Sequence, residues 1–150
     1  MRYLFDTGVL LRLPHRADPL HAVVREAVRS LTVKRHAFVT TTQNIAEFWN
    51  VCTRPASARG GLGLSVDETR RRLRLLERFI KVLREPESGY RKWKDLVVMN
   101  RVEGRQVHDA RLVALMRAYR IKRILTLNDS DFLRYKGVEA VTPQDVVAGN

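Results

Sequence analysis

Short apolar runs alternate along this chain with longer stretches in which apolar residues recur every three or four positions. Tyr3-Leu4-Phe5 is the first short run, ending on Asp6. Thr7-Gly8 and a second run, Val9-Leu10-Leu11, follow before Pro14. The pattern predicts a buried strand over residues 2–6 with a carboxylate at its end, then a turn into a helix or loop. Asp18-Pro19 predicts a helix start, Asp as N-cap and Pro in the first turn. Ala22, Val23, Ala27, Val28 and Leu31 then keep helical spacing. Residues 37–40 read as a second strand, and the chain turns polar at Thr41-Thr42-Gln43-Asn44. The next helix places Ile45, Phe48, Trp49 and Cys52 on its apolar side. It stops at Arg54, which Pro55 pushes out of helical geometry.

Gly60, Gly61 and Gly63 mark a loop, and Ser65 with Glu68 forms a capping box. The helix it opens carries Leu73, Leu76, Ile80 and Leu83 on one face, predicting a helix that runs on toward Pro86. Arg70, Arg71, Arg74, Arg78 and Lys81 fill much of the rest, as a solvated face or as an RNA-binding one. Ser88 is placed to cap a helix over 89–99, with Trp93, Leu96 and Val97 inward. Gly104 marks a turn before a helix entered at Val107-His108-Asp109. Ile124-Leu125-Thr126-Leu127 is a strand running into Asn128-Asp129-Ser130-Asp131-Phe132, and residues 138–141 are a last strand. Thr142-Pro143 caps a terminal helical turn. Strands lie too far apart for hairpins until the end. That spacing predicts a three-layer α/β/α domain with a mainly parallel sheet of four to five short strands. At 150 residues the chain fits a single domain spanning 1–150.

Charge changes the picture. With 28 Lys and Arg against 16 Asp and Glu, the net charge is +12, which favours polyanionic partners, nucleic acid first. The single cysteine, Cys52, excludes an intramolecular disulfide and suits a reducing compartment. No secretory leader and no apolar run of membrane-spanning length is visible, so a soluble, cytoplasmic protein with no membrane partner is expected. P-loop, zinc-type Cys/His and G-x-S-x-G patterns are missing from the sequence.

Four acids fall at element ends or on a helix beside one: Asp6, Glu47, Asp109 and Asp131. Singly, each has a structural explanation. Asp6 accepts bonds from its turn, Glu47 is an exposed helix residue, Asp109 faces a helix N-terminus, and Asp131 caps a short helix. Gathered in one cleft they would repel and raise one another's pKa unless a cation held them ionised. Hard divalent ions take such oxygen ligands and act on phosphodiesters. His108 is a candidate general base or a structural hydrogen bond at the turn.

At these residues the sequence resembles the PIN-domain nucleases, particularly the VapC-like toxins of type II toxin–antitoxin pairs. The resemblance rests on residues 5–11 (FDTGVLL), 45–51 (IAEFWNV), 108–113 (HDARLV) and 124–132 (ILTLNDSDF), in that order. Thr53-Arg54-Pro55 and the Gly61–Gly63 stretch resemble one subgroup. It implies that Asp6, Glu47, Asp109 and Asp131 bind Mg²⁺ or Mn²⁺ and position a water for RNA cleavage. Thr126 matches a hydroxyl residue that orients an acid or a water. It also implies a homodimer and a small antitoxin whose segment enters the active-site groove. Gly8 stands where the motif usually has Asn, and Asn128 where many members have Asp. Asp129 competes with Asp131 as the fourth acid, and Asp131 is preferred because it directly precedes Phe132. The reading is a metal-dependent endoribonuclease. The alternatives are a PIN-like nucleic-acid-binding or regulatory protein with little catalysis, or a metal nuclease of RNA processing or DNA repair.

Overall fold

The structure, a computed structural model, describes residues 1–149. Five parallel strands form one sheet in the order β3-β2-β1-β4-β5. They are β1 (Arg2–Phe5), β2 (Ala37–Thr41), β3 (Ile80–Leu83), β4 (Arg123–Leu125) and β5 (Glu139–Val141). Helices connect them: α1 (Thr7–Arg12), α2 (His21–Val33), α3 (Thr42–Thr53), α4 (Val66–Glu77), α5 (Gly89–Met99), α6 (Val107–Ala118) and α7 (Pro143–Ala148). The expected three-layer α/β/α fold is the one observed, with every strand pair parallel.

Alternation along the strands feeds two cores, one on each face. Tyr3, Phe5 and Leu125 point into the core built with α1, α2 and α3, where Val9, Val24 and Phe48 are fully buried. Leu4 and Ile124 point the other way, onto Val113 and Met116 of α6 and Leu96 of α5. The chain runs from β1 outward to β2 and β3, then returns to β4 on the other side of β1. The sheet therefore has its switch point between β1 and β4, where ligands of open α/β sheets bind outside the carboxyl ends.

Four expectations need correction. Leu73 and Leu76 belong to α4, but Ile80 and Leu83 do not extend it. The helix ends at Glu77, Phe79 N donates to Leu76 O at 3.2 Å, and residues 80–83 pair with Phe38 to Thr41 as β3. A 3-4-3 apolar spacing fits a helix and a helix-turn-strand equally. The β-branched Ile80 and Val82 and the exposed Lys81 suit this edge strand. Asp18 does not cap α2. Its carboxylate accepts from Leu20 N at 2.8 Å within a separate turn, and the helix begins at His21. Ser88 occupies the N-cap of α5 without a side-chain capping bond. The capping box of Ser65 is half present, since its hydroxyl accepts from Glu68 N at 3.1 Å. Thr142 and Asp145 form a complete one on α7. No helix among the described residues is long and apolar enough to cross a membrane.

Candidate active site

Asp6 follows β1 directly and sits at the switch point. Its backbone N–H donates to Leu125 O at 3.1 Å, so the sheet ladder fixes where the side chain starts. The carboxylate is also the N-cap of α1, with Oδ1 accepting from Thr7 N at 2.7 Å. The structural explanation for Asp6 therefore holds as well as the chemical one: the turn bond uses one oxygen and aims the other. Oδ2 accepts from the Thr126 hydroxyl at 2.8 Å, just past β4, and Asn128 N donates to that hydroxyl at 3.2 Å. Burial raises the Asp6 pKa above the usual carboxylate range. The Thr126 and Thr7 bonds oppose the rise, while the charges of Glu47 and Asp131 add to it.

Glu47 comes from α3 and meets Asp6 through one residue. Thr7 Oγ1 donates to Glu47 Oε2 at 2.7 Å, while Gln43 Nε2 donates to Oε1 at 3.1 Å. Asp109 lies in the first turn of α6, where the helix N-terminus favours negative charge. It is nonetheless pushed up to about 6, first by burial and then by the carboxylates of Asp131, Asp6 and Glu47. Asp131 sits in a short 3-10 turn, Asp129–Phe132, whose Phe132 anchors it in the second core. Asp131, and not its neighbour Asp129, is a carboxylate whose charge acts on both Asp6 and Asp109. Asp109 thus feels the charge of the other three predicted acids, and Asp6 that of Glu47 and Asp131, from four separate elements. The ring of His108 is exposed, and the residue enters the network only through its carbonyl, which accepts from Gln43 at 3.3 Å. Cys52 is a buried core thiol that burial pushes up to about 11, far from a thiolate.

The residue that sequence reasoning passed over is Asn44. It is fully buried, and its amide donates to Asp6 Oδ1 at 3.3 Å and to Thr7 Oγ1 at 3.0 Å. Its own oxygen accepts from Thr41 at 2.7 Å. The polar run at residues 41–44 was the available signal, since a polar side chain that follows a buried strand must find partners. Asn44 also bears on Gly8. An added Cβ there would lie 3.2 Å from Leu127 Cδ1, a side chain able to shift, and Gly8 is not in left-handed backbone. Since Asn44 already supplies an amide to Asp6, Gly8→Asn is expected to fold normally. Cleavage rates with RNA should stay within about threefold of the parent. A tenfold gain would mean that the missing Asn is a real deficit.

The donor set fits a hard divalent ion in chemistry. Every group is an oxygen, no Lys or Arg forms an ion pair with any of the four acids among the described residues, and the buried Gln43 Oε1 beside Glu47 lacks a partner. Among the described residues no three such side chains already form a cage. An ion held here would take the balance of its ligands from water and substrate, as Mg²⁺ commonly does. A cavity of about 1190 Å³ lies elsewhere, between α2, α4 and β3, and none of the four acids lines it.

A family model described as PIN domain matches residues 3–138. No curated protein sequence matches the chain. Among solved structures, VapBC2 from Rickettsia felis, bound to a promoter DNA fragment, superposes with a TM-score of 0.70 at 11% identity, covering 95% of this chain and 98% of that one. VapBC-1 from nontypeable Haemophilus influenzae gives 0.67 at 19% identity, over 96% and 99%. Mycobacterium tuberculosis VapC20, a toxin that cleaves the sarcin-ricin loop, gives 0.57 at 18%, over 81% and 86%.

Proposed function

This chain belongs to the PIN-domain family, and from that premise we propose that it is a metal-dependent endoribonuclease, the toxin of a toxin–antitoxin pair. The observation that carries the reading is the convergence of the acids at the switch point: Thr7 joins the Asp6 turn to Glu47, Gln43 joins Glu47 to the His108 carbonyl beside Asp109, and the charges of Asp131, Asp6 and Glu47 raise the Asp109 carboxyl. Carboxylates are gathered in this way at a cost, and a divalent cation offsets it.

Asp6, Glu47 and Asp109 would hold Mg²⁺ or Mn²⁺, with Asp131 completing the acidic rim directly or through water. The ion supplies positive charge at the reacting phosphate and makes water more acidic. The protein's own groups do the rest. Thr126 and Thr7 N–H hold the two Asp6 oxygens in fixed directions. Thr7 and Gln43 do the same for Glu47. Fixed ligands of this kind cost little reorganisation when the substrate arrives. The surplus of cations supports RNA as the polyanion.

An antitoxin partner is supported by the solved neighbours, which include a toxin–antitoxin complex from Klebsiella pneumoniae. It is supported further by the large open cavity, whose lining includes Val33, Leu75 and Phe79, all exposed apolar side chains. A homodimer is proposed with it. The test is purified protein incubated with a labelled RNA pool, with Mn²⁺ or with EDTA. Discrete cleavage that needs the metal is expected. Intact RNA in both lanes, or equal cleavage in both, would overturn the nuclease.

A further inference from the structure

We infer that the basal end of the sheet, opposite the acidic cleft, is a second phosphodiester-binding site that grips single-stranded RNA. The choice of RNA rests on the proposed nuclease; the site itself does not. A cavity of about 560 Å³ opens at the N-terminal ends of β1, β2 and β4. Arg2, Arg35, Arg120, Lys122 and Arg123 line it, and no carboxylate does. Arg123 is neutralised from outside the lining by Glu139 at 2.6 Å, and Arg2 donates to Tyr119 O at 2.5 Å. Arg35, Arg120 and Lys122 are exposed, and among the described residues their side chains have no hydrogen bond or ion pair. Like charges crowded in one cavity repel, and a chain of phosphates relieves that repulsion while releasing counterions.

Backbone geometry adds an independent observation. Arg35 and Arg120 both lie in the left-handed region, at φ 57 and 55. Each follows a helix at the position that usually takes glycine, with the 6→1 bonds His36 N to Leu31 O at 3.1 Å and Ile121 N to Met116 O at 2.8 Å. A non-glycine residue there is strained, and the attraction of a cation to the helix C-terminus only offsets that strain. Stability therefore does not explain the choice of arginine. Arg101 is a third such cap, at φ 47, and does not line the cavity. What distinguishes Arg35 and Arg120 is that both converge on one cavity with three further cations. Asp6 lies about 13 Å from Arg2 along β1, four residues at roughly 3.3 Å each. The basal cations and the acidic cleft therefore stand at opposite ends of the central strand.

The experiment measures binding of a fluorescent single-stranded RNA by anisotropy, in EDTA, over a series of KCl concentrations, with the intact protein. Arg35→Gly combined with Arg120→Gly should weaken binding about tenfold and reduce the log–log salt slope by about 1.4, two charges at ~0.7 each. Glycine suits the left-handed backbone, so the melting temperature should hold or rise, which separates lost binding from lost folding. Arg101→Gly removes the same charge from the same backbone geometry outside the cavity, and it should leave the slope nearly unchanged. Two results overturn the proposal: parental affinity and slope in the double variant, or an equal loss per charge in Arg101→Gly. The nuclease reading fails separately. If the parent does not cleave RNA with Mn²⁺ but the slope still falls, the basal site stands and the nuclease does not. If the parent cleaves and the slope is unchanged, the reverse holds.

Discussion

Asp109→Asn is expected to abolish RNA cleavage while making the metal-free protein more stable at neutral pH. The two effects share one cause. Burial and the carboxylates of Asp131, Asp6 and Glu47 push the Asp109 carboxyl up to about 6, against an ordinary 3.8. Between roughly pH 4 and pH 6 the folded protein keeps a proton that the unfolded chain has already lost. Stability in EDTA should therefore fall as pH rises through that window and stay low above it. Asparagine carries no such charge, so the variant should lose the Asp109 share of the fall and keep only the share due to Asp6. Asp109 is only half-buried, which discounts the gain at pH 8 to about 1–2 kcal/mol. Activity should drop by about a thousandfold or more, near 4 kcal/mol of barrier. Melting curves in EDTA from acid to alkaline pH, with cleavage assays in Mn²⁺, test both halves. A variant that keeps a tenth of parental cleavage, or whose melting temperature tracks the parent's across pH, would defeat the account.

Asp6, Asp109 and Asp131 were legible in the sequence because each stands at an element end, where a charge beside an apolar run is conspicuous, whereas Glu47, inside α3, was marked by its motif. Asp6 ends an apolar run, and Asp131 directly precedes the buried Phe132. The fold class was legible for a related reason, since the spacing between strands leaves room only for crossovers. What local pattern could not give was anything decided by partners distant in the chain. Ile80 and Leu83 fit a helical stripe, and only pairing with Phe38 and Thr41 makes them a strand. The helix start was misplaced at Asp18 because that carboxylate satisfies Leu20 instead. The network around Asp6 joins residues from three separate elements, with Thr126 lying 120 positions away. No periodicity reports such a bond. Parallel strands bring it about, by carrying every strand's carboxyl end to the same side of the sheet.

Asn44 is where stability and the site meet most sharply, and Asn44→Ala is expected to cost about 2–4 kcal/mol. The side chain is fully buried, so the loss leaves both a small cavity and stranded polar groups. Thr41 Oγ1 loses its acceptor, while Thr7 Oγ1 and Asp6 Oδ1 each lose a donor. The helix cap survives, because Asn44 N still donates to Thr41 Oγ1 at 3.1 Å. For a chain of this size the loss corresponds to a fall in melting temperature of about 5–15 °C. Asn44→Asp separates the two contributions, since it keeps the volume and replaces the amide donor with a third carboxylate oxygen pair beside Asp6 and Glu47. In EDTA its destabilisation should be small near pH 5, where the introduced carboxyl can hold a proton and donate it. The deficit should widen toward pH 8, where it would have to ionise in a buried site. Equal stability of Asn44→Asp and the parent at pH 8 would show that the amide contributes packing alone. A deficit that grows with pH would measure the cost of ionising a third carboxyl beside Asp6 and Glu47, a cost that the neutral Asn44 amide avoids while donating to Asp6 and Thr7.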